Sequence, residues 1–212
     1  VPDHFAATLW VFRHRAHALQ AEADRGGSDE ACTLADFFDR LRFLAFLDDN
    51  ALVLDDELLL QLAVHVLGRE EPSALADAAS YVQLLRLLRH ENLAGLLDPP
   101  DEGQRASPGA GDDRVLDRLR QISERLDRLG HQDSTQALRD AAALVEEGIL
   151  PRALTNFGHV VLVDPVELSP LECDAVVATA VAGLHVTVRL PFSAHPAFAQ
   201  EGMQRTLLRL ER

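Results

Sequence analysis

Hydrophobic and polar positions along the chain divide it into a long helical stretch and a short, differently patterned tail. Phe5 to Ala21 is an apolar-periodic run that predicts a first helix. Arg25-Gly-Gly-Ser28 breaks it. Thr33-Leu-Ala-Asp36 has the form of a capping box and predicts a helix to about Leu47. Leu34, Phe37, Phe38, Leu41, Leu44 and Ala45 then fall on one helical face. Asp48-Asp-Asn50 stops it. Asp55-Asp-Glu57 places acids where a helix dipole favours them and opens a helix to about Gly68. Pro72-Ser73 opens another, to about Glu91.

Residues 98–112 are rich in proline, glycine and charge and read as a linker or loop. Two more helices are expected, from about Asp113 to Leu129 and from Ser134 to Glu147. Gly130 and Gly148 are placed to end them. Beyond these the period changes. His159-Val-Val-Leu-Val-Asp164 is a valine-rich run of the kind buried in a parallel sheet. Pro170 to Ala182 is helical in pattern, and His185-Val-Thr-Val-Arg-Leu190 is a second strand ended by Pro191. Strand, helix, strand in that order is the unit of an α/β fold. Met203 to Leu210 is expected to be helical. The expected class is therefore α/β, dominated by helix.

Composition narrows the function classes. The chain has 212 residues and a net charge of −14, and every one of its 20 basic residues is arginine. An acidic balance of this size opposes a grip on duplex DNA by this piece alone. Without lysine the chain cannot hold a complete phosphate-loop ATPase site, whose lysine reaches the β- and γ-phosphates. No apolar run approaches the length of a membrane span, and no secretory leader is visible. Cys32 and Cys173 are two distant thiols, in keeping with a reducing compartment. The expectation is a cytoplasmic chain without a membrane partner.

Candidate chemistry is sparse. Asp164 closes an apolar strand, where open parallel sheets gather ligands, and Glu167 follows three residues later. Such an acid either holds a Mg²⁺-bound water or caps the next loop. His14 and His17 have a spacing that can ligate metal but lack a third ligand nearby in sequence. His159 and His185 read as closing the starts of the two strands. Cys173, beside Ala175 and Val176, reads as a packed core thiol. Arg118, Arg120, Arg125 and Arg128 alternate with Asp117, Glu124 and Asp127, the pattern of a solvated, salt-bridged helix face. Trp10 and Tyr81 are single residues of their types, too few for a base-stacking platform.

The stretch Asn156-Phe-Gly-His-Val-Val-Leu-Val-Asp-Pro-Val-Glu-Leu-Ser-Pro-Leu-Glu172 resembles the second conserved motif of superfamily 1 helicases of the UvrD and RecB kind. In the resemblance Asp164 takes the place of the magnesium-binding aspartate. Pro165 stands where the family has its catalytic glutamate, and Glu167 stands at a glutamine position. Ser169-Pro170-Leu171-Glu172 matches the entry to the following helix. Asp164, Pro165 and Glu167 thus form a degenerate nucleotide and magnesium motif, with no catalytic residue and no metal or cofactor implied.

A motif decayed in this way is similar to the inactivated helicase-like half of AddB-type helicase–nuclease subunits, relatives of RecC. Val1-Pro-Asp3 leading into Phe5, Thr33-Leu-Ala-Asp-Phe37 and Leu190-Pro191-Phe192 fit the same layout. The resemblance implies a partial P-loop-helicase-like core at 1–32 and 150–212. A large all-α subdomain at 33–149 would be inserted into it. It implies a non-catalytic scaffold in DNA-end processing for recombinational repair. DNA would be reached through the full-length protein, beside a helicase partner subunit. The alternative from another class is a helical protein-interaction module fused to a small α/β unit and unrelated to DNA.

Overall fold

The computed structural model describes residues 7–24, 29–44, 52–68, 74–97, 112–165, 167–190, 205–206 and 208–210. Two compact units emerge. One joins Val1–Leu47 to Leu138–Arg212, and the other is Asp48–Ala137.

The first unit is built on a four-stranded parallel sheet. Its strands are β1 (Ala7–Phe12), β2 (Glu30–Thr33), β5 (Phe157–Val163) and β6 (His185–Arg189), in the order β2-β1-β5-β6. Helix α1 (Arg15–Asp24) connects β1 to β2, and α7 (Pro170–Val181) connects β5 to β6. One crossover steps outward in each direction from the central β1–β5 pair. With right-handed crossovers the two helices fall on opposite faces of the sheet.

Strand alternation sorts the side chains. Leu9, Val11, Val160 and Leu162 point to one face and are fully or almost fully buried. They join Phe37 and Leu41 of α2 (Leu34–Arg42), residues of α6 (Ser134–Glu146), and Leu171 and Val176 of α7 in one apolar core. The opposite face carries Thr8, Trp10, His159, Val161, His185, Thr187 and Arg189, in register. Val161 there is buried, whereas His185 and Arg189 are exposed.

Local chemistry sets the helix ends. Thr33 and Asp36 form the expected capping box of α2, and Ser169 and Glu172 form another at α7, with Pro170 at its first turn. At the end of α6 the Gly148 N–H donates to the Val145 carbonyl at 2.8 Å and the Ile149 N–H to that of Leu144 at 3.0 Å. Gly148 has φ of 90°, a left-handed value that a Cβ would strain.

The second unit comprises α3 (Asp56–Leu67), α4 (Ala74–His90), a short 3-10 turn at Ala94–Leu97 and α5 (Asp112–Arg128). Leu59, Ala63, Leu85, Leu119, Ile122 and Leu126 supply much of its separate core. Arg89 and Asp133 form a buried ion pair within it, and Arg89 also donates to the Ser123 hydroxyl at 3.0 Å. Asp133 in turn accepts from the backbone N–H groups of Thr135 and Gln136, at 2.8 and 2.9 Å.

Three expectations change. The run at Phe5–Ala21 is not one helix: Ala7–Phe12 is the strand β1, and α1 begins only at Arg15. An unbroken apolar run such as Ala-Thr-Leu-Trp-Val-Phe satisfies a buried strand as well as a helix face, and periodicity cannot separate them. The parallel drawn at Val1-Pro-Asp3 and Phe5 lies outside the described residues, which begin at Ala7. Thr33 is both the last residue of β2 and the cap of α2, and α2 packs on the sheet. The boundary expected at 32/33 therefore falls at 47/48, and that expected at 149/150 falls at 137/138, within α6. The intervening unit is not wholly α. Leu52–Val53 (β3) and His131–Gln132 (β4) make a parallel two-residue pair. The break at 25–28, Asp48-Asp-Asn50, the linker from 98 to 111, and Pro191 with Phe192 lie outside the described residues, and the expected tail helix is described only at 205–206 and 208–210, where it is helical.

Candidate functional site

Strand order reverses between β1 and β5, so the carboxyl ends of those strands form the switch point where an open α/β sheet offers a ligand crevice. Phe12 pairs with Val163 there, so Arg13 leaves one strand as Asp164 leaves the other. Only Arg13 and His14 separate β1 from α1. That turn has neither the length nor the glycines of a phosphate-cradling loop, which takes roughly eight residues.

Asp164 has a left-handed backbone, with φ of 53°, and its N–H donates to the Arg189 carbonyl at 2.9 Å, continuing the ladder to β6. Its side chain is half-buried. Pro165 is buried and Glu167 is exposed, with a left-handed φ of 63°. Two non-glycine residues in that region within one short loop mark it as held by its surroundings. The hold is visible one residue further on. The Leu168 N–H donates to the Thr206 hydroxyl at 3.3 Å, and the Leu168 carbonyl accepts from Arg209 at 2.6 Å. Thr206 is fully buried and Leu210 packs against the core, so this helical tail clips the loop to the sheet unit.

The loop offers little chemistry. Proline has no group that could orient a water, and Glu167 points from an exposed turn. Among the described residues no group of three or more His, Cys, Asp or Glu could hold a metal ion. His14 and His17 stand edge to face, with ring centroids 5.8 Å apart, both exposed.

Cys32 and Cys173 are buried free thiols of the apolar core. Burial pushes Cys32 up to about 12 and Cys173 up to about 11, so neither is a thiolate nucleophile at neutral pH. On α5, Arg120 pairs with Asp117 at 3.0 Å and Arg128 with Glu124 at 3.3 Å. The expected salt-bridged face is present.

A group of polar side chains, among them His159 and His185, expected to close strand starts, lies on the face of the sheet opposite Leu9 and Val160. His159 is the third residue of β5 rather than a residue before it, because the strand starts at Phe157. His159 and His185 are register partners, with ring centroids 4.5 Å apart. The His159 Nε2 lies 2.8 Å from the Thr187 hydroxyl. The Arg189 guanidinium sits 4.8 Å from the centre of the Trp10 ring, a cation–π contact. Asp29 accepts from the Thr8 N–H at 3.0 Å and from the Trp10 indole N–H at 3.4 Å. The available signal was the period-two recurrence of His185, Thr187 and Arg189 along one strand, which needed the partner strand to acquire meaning.

No helix among the described residues is long and apolar enough to cross a membrane. No protein-family model matches the chain, and no curated protein matches it.

Proposed function

We propose that the sheet unit is a non-catalytic, helicase-like scaffold, of P-loop-helicase type, within a DNA-end-processing helicase–nuclease of recombinational repair. The observation that carries this reading is Asp164 followed by buried Pro165 at the carboxyl end of a central parallel strand. In an active phosphoryl-transfer site that position carries a group that orients the attacking water. A proline ring there can neither accept a proton nor orient a water. This supports a nucleotide-binding architecture that has lost its motor chemistry. On this reading DNA and a helicase subunit are partners of the parent protein, and the chain itself acts as frame and guide.

Two measurements test it. The purified chain is expected to show no Mg²⁺-dependent ATP hydrolysis above buffer, and robust turnover would overturn the scaffold reading. The reading frame beyond Arg212 is expected to encode a nuclease core, with spaced aspartates and an acid-x-lysine pair. A frame lacking that core would favour the second reading, a protein-interaction module unrelated to DNA. That reading draws on the second unit, which has an apolar core of its own and exposes Leu87, Leu93 and Leu96 around the end of α4.

A further inference from the structure

We propose that His159 and His185 form a two-histidine chelate for a late divalent transition metal of the Cu²⁺ or Ni²⁺ type, bridging β5 to the edge strand β6. The argument is independent of the scaffold reading.

It begins with register. His159 and His185 are directly opposed on adjacent parallel strands, so their side chains rise from the same face side by side. A late metal ion bonds to imidazole nitrogen at about 2.1 Å, which puts it about 3.2 Å from the ring centroid. Two centroids 4.5 Å apart, each ring turning a nitrogen to one shared ion, would subtend about 90° at it. A right angle between cis ligands suits square-planar or tetragonal coordination, the preference of Cu²⁺ and Ni²⁺. A tetrahedral ion such as Zn²⁺ would spread the same rings to about 5.2 Å.

The second observation is the hydrogen bond at the far side of His159. The contact of His159 Nε2 with the Thr187 hydroxyl holds the ring in orientation, and in the tautomer that donates through Nε2–H the Nδ1 atom keeps its lone pair. A liganding imidazole commonly has such a partner on its other nitrogen. Arg189 is turned onto the Trp10 ring. His185 is exposed, which leaves an open approach for the ion and for the waters that complete its shell.

Trp10 is the only tryptophan and lies on the same face, one strand from His159. It serves as the reporter, since bound Cu²⁺ quenches a neighbouring indole. Titration of the intact chain with CuCl₂ at pH 7.5 is expected to give saturable, one-to-one quenching, and NiCl₂ is expected to raise the thermal midpoint. His185→Ala removes an exposed side chain and leaves the core untouched, so the variant is expected to fold, as circular dichroism would verify. It should lose both responses. Thr187→Val should weaken binding about tenfold, as loss of an orienting partner does. A His14→Ala, His17→Ala double variant should bind as the wild type does. Absence of saturable quenching in the wild type would overturn the proposal, as would quenching that survives His185→Ala or disappears with His14 and His17.

Discussion

The two units keep their polar groups in opposite places. In the sheet unit the core around Leu9, Val160, Leu162 and Phe37 buries no charge, its buried polar groups being the hydroxyls of Thr179 and Thr206, and the charged and imidazole groups of the strands lie on the other face. In the helical unit an ion pair sits inside: Arg89 and Asp133, 4% and 0% exposed, tie α4 to the start of α6. The central strands of a parallel sheet pair their backbone on both sides, so the core over them needs no buried charge. Three helices and a two-residue strand pair leave helix starts and strand ends to satisfy. Asp133 does so by accepting from two backbone N–H groups while facing a guanidinium. One unit therefore spreads its stability over many small contacts, and the other concentrates it in one pair.

The strongest way to break this contrast is Asp133→Ala. Removing one partner of a buried pair strands the other charge, which costs about 3–5 kcal/mol. Urea unfolding followed at Tyr81, the single tyrosine and a resident of the helical unit, should show the loss. An Arg89→Met, Asp133→Leu double variant should recover a large part of it, because a well-packed apolar pair can replace a buried ion pair. A double variant as unstable as the single one would mean that the hydrogen bonds of Asp133, not its charge, hold the unit.

Leu162→Ala probes the other side. Its side chain is fully buried, and truncation there should cost about 2–5 kcal/mol, read from the Trp10 signal in the sheet unit. Ser169→Ala should cost about 1 kcal/mol by removing the cap of α7. A loss as large as that for Asp133→Ala would show that the sheet unit also depends on a single polar device.

The smallest effect sharpens the comparison through pH. The folded-state value of His159 is depressed, chiefly by burial and then by His185 and Arg189, so the unfolded chain takes up that proton first. Its contribution to stability is full above the ordinary value of 6.5 and is lost as pH falls below it. Asp133 is also depressed. Burial alone would raise it, but Arg89 and the Thr135 and Gln136 donors outweigh burial. Its contribution is full above 3.8 and is lost only as pH falls through the lower folded value. Acid titration should therefore loosen the sheet unit, seen at Trp10, before the helical unit, seen at Tyr81. His159→Gln should remove the early phase.

What the sequence by itself determined is the information that acts within three or four residues. Thr33 with Asp36, Ser169 with Glu172, Asp55 before α3, and Gly148 after α6 mark helix boundaries because each is satisfied by its immediate neighbours. The strand–helix–strand tail was legible because β5 and β6 are runs of β-branched residues bounded by clear stops. Asp164 at the end of β5 was legible for the same reason. Other features were settled only by tertiary structure. Ala7–Phe12 became a central strand because Phe157–Val163 pairs with it from far along the chain. Glu30–Thr33 is too short to signal itself and exists as a strand through its pairing with β1. The clip of Thr206 and Arg209 on Leu168, the pairing of Arg89 with Asp133 across 44 residues, and the tilted ring contact of His159 with His185 all join distant segments. Local patterns fix which backbone dihedrals and end groups are favourable. Which distant groups meet is decided by the sheet register and the closure of the core, and these depend on the whole chain at once.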